Sequence, residues 1–141
     1  MNEADALARR VADALRAREG TGPAWGVNVE EAREGYARVS MRVREYMLNG
    51  HRIAHGGMIF ALADTAFAYA CNSRNENTVA QSATIVFLAP ARLDDVLVAE
   101  AQEASRAGRS GVYKIKITTA DGREIAEFMG HSRAIGGAPI V

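Results

Sequence analysis

Asp64 is unusual because it lies within an almost entirely apolar stretch that runs from Met58 to Cys71. If the stretch is a helix, Phe60 and Phe67 share the face of Asp64. A carboxylate that leaves water without a partner costs several kcal/mol, so it must be paired, protonated or directed into a polar cavity. Burial also raises the pKa of a carboxyl, as a general base or nucleophile requires. A structural aspartate that caps a neighbouring loop is the alternative interpretation.

His55, Gly56 and Gly57 immediately precede this stretch. Backbone N–H groups in the first turn of a helix have no partner within the helix, and the helix dipole favours negative charge there. Two glycines allow a ligand to approach that backbone closely. The three residues therefore suggest an oxyanion hole. A tight turn at the glycines, with a hydrogen-bonded structural histidine beside them, is the alternative.

Several further polar residues are candidates for a site. Asn49 belongs to the stretch MLNGH, where an asparagine next to glycine either forms a turn or holds a carbonyl or a water molecule. Ser82 interrupts an apolar strand, and its hydroxyl either bonds locally or contacts the site. Arg106 and Arg109 belong to a glycine-rich turn, which is either solvated or able to hold phosphates.

Composition and motifs exclude several other functions. Lys and Arg together number 17, as do Asp and Glu, so neither nucleic acid nor a membrane is an expected partner. No metal-ligand spacing, P-loop or dinucleotide motif is present, and we expect no cofactor and no metal. Cys71 is the single cysteine, so no intramolecular disulfide can form. A Cys71 nucleophile activated by a histidine is disfavoured, because Cys71 lies on the apolar helix and is expected to pack as a small hydrophobic residue. The charged start MNEADALARR lacks a signal-peptide core, so the cytoplasm is the expected location.

The elements that must position these residues follow from periodicity. Residues 3–18 predict an amphipathic helix, which the stretch EGTGP ends, and residues 36–44 alternate as a half-buried strand. The apolar helix follows. A meander of four strands is expected after it, with the first of them central in the sheet: residues 78–90, 94–108, 111–122 and 123–135.

This order of elements predicts an α+β fold in one domain, residues 1–141. A helix that is apolar on all faces must be buried on all sides, and an antiparallel sheet that curls around it provides most of that cover. One chain would leave part of the helix exposed, which a homodimer would cover. Residues 1–22 form an N-terminal helix and loop, and residues 136–141 are expected to be a frayed tail.

The motifs NGH, HGG and ALADTAFAYACNS, followed by β-strands, resemble the PaaI-type acyl-CoA thioesterases of the hotdog superfamily. The resemblance extends from about Gly35 to Gly137 and implies the hotdog fold, in which a curled sheet surrounds one central helix. It also implies a homodimer as the minimal active unit, and family members often pair dimers into homotetramers. The segment EGTGPAWGV does not match the family pattern.

The resemblance also implies a role for each candidate residue. Asp64 corresponds to the carboxylate that activates water or attacks the thioester, and the N–H of Gly56 polarises the thioester carbonyl. Asn49 places the carbonyl or the water, His55 supports the loop, and Ser82 contacts the water or the carboxylate. The HGG loop of one protomer faces the carboxylate of the other. Substrate-binding residues are expected to be Gly57 at the loop and, for the CoA phosphates, three arginines: Arg106, Arg109 and Arg133.

The expected function is hydrolysis of an acyl-CoA thioester to a free acid and CoA, with an aryl-acetyl or hydroxylated aryl-acetyl group, in phenylacetate degradation. Alternatives are a non-catalytic acyl-CoA-binding protein, a thioesterase for other medium-chain acyl-CoAs, and an enoyl-CoA hydratase. The hydratase is disfavoured because no Asp/His pair has the spacing of a hydratase motif. The sequence leaves open whether Asp64 acts as a base or forms an anhydride.

Overall fold

Three α-helices and six strands make up the fold in the computed structural model, which describes residues 1–141. The elements are α1 (Glu3–Arg18), α2 (Thr21–Trp25), β1 (Asn28–Arg33), β2 (Tyr36–Arg42), a 3-10 turn (Glu45–Met47), α3 (Gly56–Cys71), β3 (Thr78–Phe87), β4 (Val96–Ala107), β5 (Ser110–Thr119) and β6 (Glu124–Ala134). The predicted α+β class, with an N-terminal helix and a long apolar helix, is confirmed.

The six strands form one antiparallel sheet in the order β1-β2-β4-β5-β6-β3. Only β4, β5 and β6 form a meander, so the expected four-stranded meander is wrong by one strand. The prediction that residues 78–90 are central is also wrong, because β3 pairs with β6 alone and forms one edge of the sheet. Its β-branched, apolar sequence indicates a strand but does not report how many neighbours that strand has.

Two elements of the N-terminal region were not expected from the sequence. α2 begins within the predicted break and ends at Gly26, whose φ of 66° is left-handed. β1 pairs with β2 through a bulge between Val29 and Glu31. This bulge interrupts the alternation of polar and apolar residues, which is the signal that predicts a strand.

The sheet curls around α3, and the two surfaces meet in the core. The ring of Phe67 packs between Tyr113 and Phe128, with ring centroids 5.4 and 6.0 Å away. One stripe of α3 remains uncovered, because Gly57 is exposed and Ala61, Asp64 and Ala68 are only half-buried. These positions follow the helical repeat. The expectation that one chain leaves part of the helix exposed is therefore confirmed.

The C-terminal tail is tied to the body, in contrast to the expected frayed end. The side-chain oxygen of Asn75 accepts hydrogen bonds from the N–H groups of Ile140 and Val141, at 2.8 and 3.0 Å. The side chain of Asn77 donates to the carbonyls of Gly136 and Ala138. Ile140 is buried. The stretch GGAPIV thus follows a defined path, which its glycines and proline did not indicate.

Gly130 allows the close approach of β6 to α3, and its replacement tests this packing. A Cβ atom at this position would lie 2.6–2.8 Å from three ring carbons of Phe67, which is buried between Tyr113 and Phe128. We therefore expect Gly130→Ala to lower the free energy of unfolding by about 1–3 kcal/mol in urea denaturation. Gly50→Ala is the control, since nothing lies within 4 Å of its Cβ position. Equal stability of the two variants would contradict this packing argument.

Candidate active site

Asn49 organises the loop that leads into α3. Its side-chain oxygen accepts hydrogen bonds from the N–H groups of His51 and Ile53, at 2.9 and 3.3 Å. A β-bridge between Leu48 and Ala54 closes the small hairpin. The amide oxygen of Asn49 therefore serves the turn, while its NH₂ group has no partner within the chain and is free to donate to a ligand.

His55 is the N-cap of α3, and it occupies one of the two glycine N–H groups. Its Nδ1 accepts a hydrogen bond from the N–H of Gly57 at 2.8 Å, and its carbonyl accepts from Met58 and Ile59. The predicted supporting role of His55 has this physical basis. Gly57 differs from the expectation, because its N–H is already bonded and is not available to a substrate.

Gly56 provides a free donor at the N-terminus of α3. It is the first residue of the helix, so its N–H has no acceptor within the helix, and no other atom of the chain accepts from it. The positive end of the helix dipole lies at the same place. This N–H can therefore stabilise a developing oxyanion, as the sequence predicts.

Phe87, the last residue of β3, packs on Gly56, a contact that no pattern in the sequence indicates. Three carbons of its ring lie 3.0–3.5 Å from the position that a Cβ of Gly56 would take. Half of the Phe87 side chain is nevertheless exposed. Its position at the end of an apolar strand gave no signal, because the contact depends on the path of the chain between α3 and β3.

Asp64 lies on the uncovered stripe of α3, two turns after the helix start. Its side chain forms no hydrogen bond or ion pair within the chain, and burial raises the pKa of its carboxyl above the ordinary value. Burial, together with the nearby Asp64 charge, raises the pKa of Cys71 to about 12, so Cys71 is a protonated thiol and not a nucleophile at neutral pH. The alternative interpretation was that Asp64 caps a neighbouring loop, but no group of this chain bonds to its carboxylate.

The two halves of the candidate site lie apart within one chain. Eight residues separate Gly56 from Asp64 along α3, which corresponds to about 12 Å at 1.5 Å per residue. Reacting groups must approach to about 3–3.5 Å. A single substrate carbon cannot be served by both residues of the same helix.

Ser82 lies on the other face of the sheet from α3. Its hydroxyl is 2.7 Å from Nδ1 of His131, the residue opposite it on β6. Phe128 and Gly130 of β6 contact the aromatic rings of α3, so the alternation of a strand places His131 on the outer face. Within one chain, the structure therefore does not bring Ser82 to Asp64. A bulge between Ala80 and Ser82 prevented the face of this residue from being read from the sequence.

The three predicted phosphate-binding arginines lie around the turn between β4 and β5. Arg106 pairs with Glu76 and Glu103 at 3.6 and 3.9 Å, whereas Arg109 and Arg133 form no ion pair. Arg133 is opposite Val79, eight residues before Phe87 on β3. At about 3.3 Å per residue, this group lies roughly 26 Å from Gly56 of the same chain.

The outer face of the sheet also carries a groove, and none of the predicted catalytic residues lines it. This groove, of about 870 Å³, is lined by residues that include Tyr36, Lys114 and Glu127. No group of three or more His, Cys, Asp or Glu side chains is arranged to hold a metal ion. None of the helices combines the length and hydropathy needed to cross a membrane.

The chain resembles known proteins both in sequence and in fold. Residues 51–126 match the family model of the thioesterase superfamily. The chain is 44% identical to the acyl-coenzyme A thioesterase PaaI of Escherichia coli K12, over 89% of this chain and 90% of that protein. The structure of the E. coli PaaI protein from the phenylacetic acid degradation operon superposes with a TM-score of 0.93 at 42% identity, covering 95% of this chain and 97% of that one.

A more distant structure, a hypothetical thioesterase of Streptococcus pneumoniae with coenzyme A, superposes with a TM-score of 0.76 at 26% identity, covering 79% of this chain and 88% of that one. The resemblance predicted from the HGG and ALADTAFAYACNS motifs is confirmed. The chain belongs to the thioesterase superfamily and, within it, to the PaaI-type proteins of the hotdog fold.

Proposed function

We propose that this protein hydrolyses an acyl-CoA thioester to the free acid and CoA. The observation that carries the proposal is the presence of two unsatisfied groups on α3: the Asp64 carboxylate has no partner, and the Gly56 N–H has no acceptor. A carbonyl oxygen that becomes negative in the transition state needs the donor, and a water molecule or carbonyl carbon needs the base or nucleophile. The E. coli relative is an acyl-coenzyme A thioesterase, which supports the substrate class.

The active unit is a homodimer in which Asp64 of one chain faces the His55–Gly57 loop of the other. The separation of about 12 Å within one helix requires a second chain. Two uncovered features support such a pairing: the stripe of α3 that carries Asp64, and the free edge of β3. An unpaired edge strand is a ready template for another strand. Pairs of such dimers then form the homotetramer.

The reaction begins when the thioester carbonyl oxygen accepts the hydrogen bond of the Gly56 N–H. Asp64 then takes a proton from water as the water oxygen bonds to the carbonyl carbon, or it attacks that carbon directly and water later hydrolyses the anhydride. In either route the C–S bond breaks, and the CoA sulfur leaves as a thiolate that takes up a proton. The loss of one such donor typically costs about 3–4 kcal/mol in the transition state.

The remaining predicted residues act around this centre. The free NH₂ of Asn49 helps to place the carbonyl or the water, and His55 holds the loop through Gly57. Ser82 has a secondary role. Because the turn between β4 and β5 lies roughly 26 Å from Gly56 of the same chain, it would serve the loop of the partner chain in such a dimer. Arg106, Arg109 and Arg133 are then candidates for the CoA phosphates.

The acyl group is aryl-acetyl or hydroxylated aryl-acetyl, and the cytoplasm is the location. The E. coli relative belongs to a phenylacetic acid degradation operon, which supports the first assignment. A free, buried Cys71 is consistent with a reducing compartment. A panel of phenylacetyl-, hydroxyphenylacetyl-, benzoyl- and straight-chain acyl-CoAs, with thiol release as the readout, tests both hydrolysis and preference. Binding without thiol release would favour a non-catalytic acyl-CoA-binding protein.

Asp64→Asn tests the catalytic carboxylate. Asparagine has nearly the same shape but cannot accept a proton or attack, so we expect turnover to fall by at least about 100-fold while CoA still binds. Ser82→Ala is the comparison, and we expect a smaller loss. The measurements are kcat from thiol release and the Kd for CoA from calorimetry. Near wild-type turnover of Asp64→Asn would contradict the assignment, and equal losses would contradict the secondary role of Ser82.

Mixed dimers test whether the site is shared between chains. Gly56→Pro removes the N–H at the first helical position, where proline is tolerated, and the extended conformation of His55 suits a following proline. Coexpression of Asp64→Asn and Gly56→Pro chains should restore about a quarter of wild-type activity, because half of the dimers are mixed and each has one intact site. Gly56→Ala is the matched control for the added bulk, because it keeps the N–H but also places a Cβ against Phe87. A mixture without activity would indicate sites within single chains.

The raised pKa of Asp64 also predicts a dependence of stability on pH. Burial favours the protonated form, so the folded state binds this proton more tightly than the unfolded state, and the cost of the charge appears as pH rises above about 3.9. We expect Asp64→Asn to raise the free energy of unfolding at pH 7 but not at pH 3. Urea denaturation at both values measures the difference. A variant that is less stable than the wild type at pH 7 would indicate a stabilising partner for Asp64.

A further inference from the structure

Phe87 is anchored at its backbone while its ring remains half exposed. Its Cα lies opposite Ala126 of β6, and the next residue, Leu88, donates a hydrogen bond to the carbonyl of Ile125 at 2.8 Å. The sheet therefore fixes the point from which the ring projects. The side chain is nevertheless 50% exposed. A large apolar surface is held at the boundary with solvent, next to the start of α3.

The tip of the ring faces the residue that carries the free donor. The ring carbon Cζ would lie 3.0 Å from a Cβ atom at position 56, closer than Cε1 and Cε2. A glycine at position 56 and a phenylalanine at position 87 therefore fit each other, and any larger residue at position 56 would displace the ring. The N–H of Gly56 has no acceptor. An exposed apolar wall beside a free polar donor is the arrangement of ligand pockets, which combine apolar lining with a few polar groups.

We propose that Phe87 is a specificity residue that contacts the acyl group of the substrate next to the thioester carbonyl. This inference rests on the proposed function, since a carbonyl bound to the Gly56 N–H places its neighbouring acyl carbons against the ring. An aryl-acetyl group carries its own ring one carbon from the carbonyl and can pack edge-to-face or offset against Phe87. A straight chain offers only van der Waals contact. The ring also excludes water from the hydrogen bond of the oxyanion, which strengthens that bond.

Phe87→Leu tests this inference through the ratio of two substrates. We expect kcat/KM for phenylacetyl-CoA to fall about three- to tenfold more than kcat/KM for hexanoyl-CoA, because leucine keeps an apolar contact but loses the aromatic one. Phe87→Met is a second variant with a more flexible apolar side chain. Val86→Ala is the matched control, since Val86 is exposed on the same strand and is opposite Glu127 on the outer face of the sheet. It should leave the ratio unchanged.

Gly56→Ala provides an independent measurement, because alanine keeps the N–H and adds only the Cβ that meets the ring. We expect it to lower kcat/KM in the wild-type background and to have a smaller effect in the Phe87→Leu background, so that the two changes are not additive. Additive effects, or equal losses for both substrates in folded Phe87→Leu, would overturn the role of Phe87. A wild-type protein that releases no thiol from any acyl-CoA would instead overturn the proposed function. Thermal unfolding verifies that each variant is folded.

Discussion

The structure depends on the burial of one apolar helix by a single sheet. α3 contains one charged residue in sixteen, so nearly all of its surface must be removed from water. A six-stranded sheet that curls in one direction can surround most of a helix but must leave an opening where its two edges do not meet. Within one chain this cover is incomplete, because Asp64 lies on the uncovered stripe of α3. The same geometric limit thus leaves both a carboxylate and an apolar surface partly exposed, and the proposed dimer and the proposed chemistry would both follow from it.

α3 also separates the two groups that the proposed reaction needs, the backbone donor and the carboxylate. Its N-terminus offers a donor and the positive end of a dipole, and its middle presents a carboxylate whose proton affinity is raised by burial. Because both groups belong to one rigid helix, the distance between them is fixed, and the carboxylate cannot accept the hydrogen bond of the donor in the same chain. In the proposed dimer, two copies of this helix would yield two equivalent sites from one pair of groups. His55 contributes by occupying the N–H of Gly57, which leaves a single donor with a defined direction.

Much of this organisation could be predicted from the sequence, because the signals were local. The amphipathic pattern gave α1 with its observed bounds, and the glycines of HGG marked the start of α3. The position of β3 at the sheet edge could not be predicted, since strand order depends on contacts between distant segments. The bulges near Glu30 and Gln81 shifted the alternation and so hid β1 and the outward direction of Ser82. Phe87 was not predicted for a different reason. Its contact with Gly56 joins residues that are 31 positions apart and follows from topology, not from periodicity.

The order of the strands has a consequence for the synthesis of the chain. β3 leaves the ribosome early, but its only neighbour, β6, begins 37 residues later, at Glu124. At typical rates of about 5–20 residues per second, this apolar segment waits roughly 2–7 s for its partner strand. Protection of the nascent β3 from other chains during that interval therefore becomes a requirement of the topology.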